Sequence, residues 1–153
     1  MESVNNYILP ETLKLKFNIE ISRIIIQQRR RVVIHIRKEE LLTIANYFLN
    51  ELTYRFIIAT GMVSDNGFEI IYHFSDDKNG YVVNLLVELE ESKPEIESLS
   101  NLIDAANWIE REIHELFGIR FLNHPNLTKL ISDGNWNDTE YPYARKKRDN
   151  TNP

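Results

Sequence analysis

The sequence contains no cysteine. That removes disulfides, thiolate-held iron–sulfur clusters, cysteine zinc sites and thiol catalysis in one step. Glycine is scarce, at five in 153 residues, and none falls in a G-x-G-x-x-G, Walker A or G-x-S-x-G pattern, so no phosphate loop or nucleophile elbow is legible. No apolar run approaches the ~20 residues that a membrane-spanning helix needs, so membrane association is expected only through a partner. Positive charge is not in excess either. Lys and Arg number 18 against 23 Asp and Glu, a net charge of −5, which gives the chain as a whole no pull toward nucleic acid or an anionic membrane. The stretch Met1 to Asn6 is polar, without the apolar core of a signal peptide.

What is present suits one globular domain with a tail: 42% hydrophobic and 27% charged residues support a core. Pro10-Glu11 suggests a short first helix, because proline is tolerated at the first helical position. A strand is expected from about Ile19 to Gln27. A polar break follows, and Val32, Ile34 and Ile36 alternate as the second strand of a hairpin. Leu41, Ile44, Ala45, Phe48 and Leu52 recur at helical spacing, with Glu39 and Glu40 in the first turn, where the helix dipole favours acids.

Three strands are predicted next, Tyr54 to Thr60, Phe68 to Ser75 and Tyr81 to Glu90, the latter two preceded by Asn66-Gly67 and Asn79-Gly80, both strong turn signals. A loop at Pro94 is expected to end the sheet. A last amphipathic helix, Asn101 to Phe117, carries Leu102, Ala105, Ala106, Ile109, Ile113 and Leu116 on one face, and Gly118 stops it. The order α-β-β-α-β-β-β-α predicts a two-layer α+β domain with a mixed sheet over 1–119. From Arg120 the composition turns to Asn, Asp, Pro and Gly, and 120–153 reads as an extended arm that keeps Trp136, Tyr141 and Tyr143.

Chemistry-bearing residues are few. Glu110 and His114 stand one helical turn apart, a spacing that can hold a metal or serve as acid and base. Against this, charges on the polar face of an amphipathic helix are commonplace, and a helical metal site wants a third ligand. The competing assignment, a small metal-dependent enzyme using Glu110 and His114, is kept as the alternative. His35 and His73 read as sheet-face or hydrogen-bonded histidines, and His124, before Pro125, as a loop pin. The basic run Arg145 to Arg148 reads as a solvated tail, and the acidic net charge argues against a nucleic-acid module.

The run Glu110-Arg111-Glu112-Ile113-His114-Glu115-Leu116-Phe117-Gly118-Ile119, followed by Phe121, His124-Pro125 and Leu127, resembles a known signature, E-R-E-x-x-D/E-L-F-G-I-x-F-x-x-H-P-x-L. It is the block of the C-subunit family of NADH-quinone oxidoreductase (complex I), which includes the C-subunit-like components of membrane-bound, energy-converting nickel–iron hydrogenases. Tyr72-His73-Phe74-Ser75 and Asn107-Trp108 also look familial. Thr128 stands where the family usually has a basic residue. Trp136 to Arg145, with Tyr141-Pro142, is similar to the W-P-E-G-x-Y-P-L-R-K-D segment of hydrogenase-type members, with Asn137, Asp138 and Thr139 in place of P-E-G.

The resemblance implies a subunit without cofactor or active site of its own. Such a subunit sits in the hydrophilic arm, peripheral on the cytoplasmic face of the membrane. Its partners would be the large quinone-site or nickel–iron-site subunit and neighbouring iron–sulfur subunits. A hydrogenase-type complex is slightly favoured by the short stretch after the arm segment. Glu110, Arg111 and Glu112 are then expected to pair across subunits or hold neighbouring backbone. Leu116 and Phe117 should plug the core, Gly118 turn the chain and Pro125 stiffen the exit. With Glu115, Phe121, His124, Trp136, Tyr141, Pro142 and Arg145, these form the expected signature and partner-contact set.

Overall fold

A computed structural model describes residues 9–18, 24–132, 137 and 140–144. Helix α1 is Leu9–Phe17, β1 is Ile24–Gln28 and β2 is Arg31–Ile36. The first predicted strand is described from Ile24 onward, and its expected start at 19–23 lies outside the described residues. The predicted second helix is not uniform. It begins as a 3-10 turn at Lys38–Glu40, runs as α2 over Leu41–Asn46 and finishes as a π-helical turn at Tyr47–Glu51. Leu41, Ile44, Ala45 and Phe48 are buried as the spacing predicted, and the wide last turn also buries Tyr47.

Strands β3 (Arg55–Ser64), β4 (Gly67–Asp76) and β5 (Tyr81–Glu90) form a meander, with β3 longer than its apolar run suggested. The sheet order is β1-β2-β5-β4-β3. All pairs are antiparallel except β2 with β5, which run parallel from Arg31↔Val82 to Ile36↔Val87. The fold is thus α+β with a mixed sheet. One face of each strand is apolar by simple alternation. Val32, Ile34 and Ile36 on β2, Phe68, Ile70, Tyr72 and Phe74 on β4, and Val83, Leu85, Val87 and Leu89 on β5 are all buried. Phe48 from the helix meets this face edge-on at Phe74, ring centroids 5.3 Å apart. On the opposite face His73 bridges three strands, its Nδ1 2.7 Å from Asn84 Oδ1 and its Nε2 3.1 Å from Thr60 Oγ1. It is a hydrogen-bonded sheet-face histidine, as its position suggested.

The five-stranded sheet ends with β5, before the loop at Pro94, as expected. A separate two-stranded sheet follows, in which β6 (Glu95–Glu97) pairs in parallel with β7 (Arg120–Leu122). Between them α3 spans Ala106–Phe117, five residues shorter at its start than the pattern predicted. Residues 99–105 are turns, and Leu102 and Ala105 are exposed rather than on the buried face. Gly61 on β3 lets α3 close onto the sheet, since a Cβ there would lie 3.0 Å from Ile113 Cγ2 and 3.1 Å from Phe117 Cε2.

Candidate functional site

The signature residues converge on α3 and on the segments that flank it. The charges of α3 do not share one solvated face. Glu110 and Glu115 are buried, at 0% and 2% exposure, which corrects the expectation of charges on an open polar face.

Glu110 points at the turn before the helix. Its Oε1 accepts the Leu99 N–H at 2.7 Å, and its Oε2 accepts the Ser98 hydroxyl. Ser98 Oγ in turn accepts the Ser100 N–H at 3.0 Å. Burial pushes the Glu110 carboxyl up to about 7, against the opposing pull of Ser98 and of the Leu99 and Ser100 amides. The buried Tyr72 hydroxyl is held well above its ordinary range, by burial first and the Glu110 charge second.

His124 lies 3.8 Å from Glu110 Oε2, both side chains fully buried. Yet it is not a cationic partner. Its Nδ1 accepts the Asn126 N–H at 3.0 Å and its Nε2 donates to the Asn107 carbonyl at 3.1 Å. A ring nitrogen that accepts an N–H carries no proton. Burial lowers the His124 pKa, the Asn107 carbonyl opposes this, and Arg111 and His114 lower it further. His124 therefore pins the loop that leaves β7.

Glu115 points the other way, onto the segment after that loop. It accepts the backbone N–H groups of Leu130, Ile131 and Ser132 at 2.6, 2.7 and 2.7 Å. Burial disfavours its charge, but the Ser132 side chain and these three amides outweigh burial and hold it at about 2. Arg111 secures the same segment two residues earlier. Its Nε donates to the Thr128 carbonyl at 2.9 Å, and its Nη2 to Thr128 Oγ1 at 3.0 Å and the Lys129 carbonyl at 2.8 Å. Thr128, where the family pattern has a basic residue, thus supplies an acceptor to Arg111.

The helix end is closed by the chain itself. Gly118 takes φ 77° and ψ 11°, and its N–H donates to the His114 carbonyl at 2.8 Å. The Tyr141 ring lies against it so closely that a Cβ would stand 2.7 Å from Tyr141 Cδ2. Both the left-handed backbone and this contact require glycine. The Tyr143 N–H donates to the Leu116 carbonyl at 2.9 Å, and its ring meets Phe117 with centroids 5.7 Å apart. Phe117 and Phe121 are buried, while Leu116 is partly buried against the core.

Glu110 and His114 do not act on a common point. His114 Nδ1 donates to the Ile119 carbonyl at 2.9 Å, whereas Glu110 faces Ser98 and Leu99. Among the described residues no group of three or more His, Cys, Asp or Glu is placed to share a metal ion. Pro125 and Pro142 are exposed in turns. Trp136 and Arg145 lie outside the described residues. Glu112 is half-buried and makes no hydrogen bond or ion pair among the described residues.

Sequence reasoning missed Ser98 and Leu99, the receivers of Glu110. The Ser98-Leu99-Ser100 triplet before the helix was the available signal, because serine donors commonly gather near helix starts. It also passed over how open Trp108 is, at 68% exposure. Among the described residues no helix is long and apolar enough to cross a membrane.

Comparison with known proteins agrees with this architecture. The family described as respiratory-chain NADH dehydrogenase, 30 kDa subunit, matches residues 34–151. The chain is 30% identical over 114 residues to the C subunit of NADH-quinone oxidoreductase from Citrifermentans bemidjiense, covering 72% of this chain and 71% of that protein. It is 32% identical over 124 residues to the C subunit of F420H2 dehydrogenase from Methanosarcina mazei, covering 79% and 78%. Among solved structures, a chain of the membrane-bound sulfane sulfur reductase, an archaeal respiratory membrane complex, shares the fold. Its TM-score is 0.73 at 16% identity, over 90% of this chain and 81% of that one.

Proposed function

The chain belongs to the respiratory-chain NADH dehydrogenase 30 kDa subunit family, and on that premise we propose that it serves as a non-catalytic structural subunit in the hydrophilic arm of a membrane-bound redox complex. One observation carries the structural, non-catalytic reading. The signature side chains capable of acid–base work, Glu110, His114, Glu115 and His124, are each bound to fixed backbone of this chain. These bonds turn each group onto its own chain and in different directions, so the four do not converge on one point where a substrate could sit. The chain therefore acts by presenting a rigid surface, with 120–153 as its partner-facing arm and the large subunit of the complex as its main neighbour.

Its membrane association then comes through that complex, on the cytoplasmic face. The names of the two relatives above favour a dehydrogenase-type complex. The preference for a hydrogenase rests on the similarity of the arm segment and the short stretch after it.

The test is affinity purification of the tagged full chain from membranes of its native host. Recovery of a large redox subunit and iron–sulfur subunits at fixed stoichiometry is the expected result, with electron-transfer activity in the assembly and none in the isolated chain. Recovery of the chain alone with a stoichiometric metal, and turnover lost on Glu110→Gln, would establish the small metal-dependent enzyme instead.

A further inference from the structure

We infer that Trp108 and Glu112 form a receptor for an arginine of the partner subunit, an assignment that rests on the subunit reading above. The two residues stand one turn apart on α3 and so share a face. Trp108 is 68% exposed and makes no ring contact or cation–π contact among the described residues. Glu112 is half-buried and makes no hydrogen bond or ion pair among the described residues.

An isolated exposed apolar residue needs no explanation, but this pairing is of another kind. Glu112 is a partly covered carboxylate that accepts no hydrogen bond among the described residues, so its acceptor oxygens are open to a donor from outside. The nearest cation in sequence is not that donor: Arg111 is committed to the Thr128 and Lys129 backbone. The face continues one turn on to Glu115, whose bond to the Ile131 N–H sets the 51% exposed Ile131 beside it. The patch thus has an aromatic plate at one end, an unmatched anion in the middle and an aliphatic edge at the other.

A guanidinium satisfies all three. It stacks on an indole face, grips a carboxylate with paired N–H groups and lays its methylenes along an aliphatic neighbour. Trp and Arg are also the residues that most often dominate binding at interfaces. The bracing by Arg111 and Glu115 now gains a purpose, since it fixes the frame on which the receptor is carried.

The experiment co-expresses the full chain with the large subunit of its complex and measures their dissociation constant. Trp108→Ala and Glu112→Arg should each weaken binding at least tenfold, without moving the melting curve of the free chain. Glu112→Gln should flatten the salt dependence. Trp108→Phe should retain most of the affinity. Leu15→Ala, at the 86% exposed position on α1, should change nothing. Reversal of one partner arginine to glutamate should restore binding by Glu112→Arg. If the wild-type chain does not bind the large subunit, the subunit reading fails and takes this inference with it. If it binds and both disruptive variants bind equally well, the receptor is absent while the subunit reading stands. Weakening that no partner charge reversal repairs overturns the arginine assignment.

Discussion

Two buried carboxylates on one helix behave in opposite ways. Glu110 faces inward, where one amide and one hydroxyl meet it, and burial drives it up to about 7. Glu115 faces the arm, where three consecutive amides meet it, and it is held at about 2. Both are shut off from solvent, so burial alone does not decide the charge state. Depth and donors decide it together: Glu110 lies deeper and burial dominates there, whereas the donors around Glu115 outweigh burial. Glu110 thus closes an interior turn near the edge of neutrality, and Glu115 is a permanent anion that clamps a surface segment.

The largest way to test this contrast is removal of each acceptor. Glu110→Ala strands the Ser98 hydroxyl and the Leu99 amide inside the fold, at about 1–3 kcal/mol per unsatisfied group. It should lower global stability by about 3 kcal/mol in denaturant melts. Glu115→Ala strands three amides, but their segment can lift into water, so the global loss should be only about 1 kcal/mol. Its effect should appear instead as about 100-fold faster hydrogen exchange at Leu130, Ile131 and Ser132. Equal global losses would mean that the arm unfolds with the domain as one unit.

A second test uses pH. The folded-state pKa of Glu110 lies above its ordinary value of 4.5. Between those two values the folded chain holds a proton that the unfolded chain has released. Stability must then fall as pH rises through this window, at no more than about 1.4 kcal/mol per pH unit. A loss of about 1–2 kcal/mol from pH 5 to pH 7 is expected in the wild type, and Glu110→Gln should flatten it. Glu115 has the reverse sign. Its contribution is complete above 4.5 and fades only as pH falls toward about 2, so exchange at 130–132 should accelerate in that acidic range alone. A pH-independent wild type between 5 and 7 would remove the distinction between the carboxylates.

The sequence made half of this arrangement legible. Alternation in β4 and β5 and helical spacing at Leu41, Ile44, Ala45 and Phe48 announced the core, because burial on one face of a regular element writes a period into the chain. Glu110 and Glu115 were hidden by that same logic. A period shows which residues avoid the apolar core, but not whether they then meet water or backbone. The backbone they meet, at 98–100 and 130–132, is irregular and leaves no period. Strands β6 and β7 are three residues each, too short to alternate, and their parallel pairing joins segments on opposite sides of a helix. The signature block marked the right stretch of chain, yet it left open whether Arg111 and Glu112 act alike. Arg111 holds the segment at 128–129, and Glu112 has no partner among the described residues.

The smallest expected effect sharpens the arm side of the comparison. Arg111 places three N–H contacts on Thr128 and Lys129, just before the amides that Glu115 receives. A planar guanidinium makes such contacts in one fixed orientation, whereas an ammonium is a point charge on a flexible stem. Arg111→Lys keeps the charge and loses the fork. The carbonyls it leaves lie near the surface and can turn to water, so the melting curve should not move measurably. The cost should appear locally, as about tenfold faster exchange at Leu130 to Ser132, smaller than the change from Glu115→Ala. In Glu115→Ala the same lysine substitution should add little, because the two side chains hold one segment and their effects cannot sum. Additive acceleration in the double variant would mean that Arg111 and Glu115 anchor the arm independently, and the clamp would then be two devices rather than one.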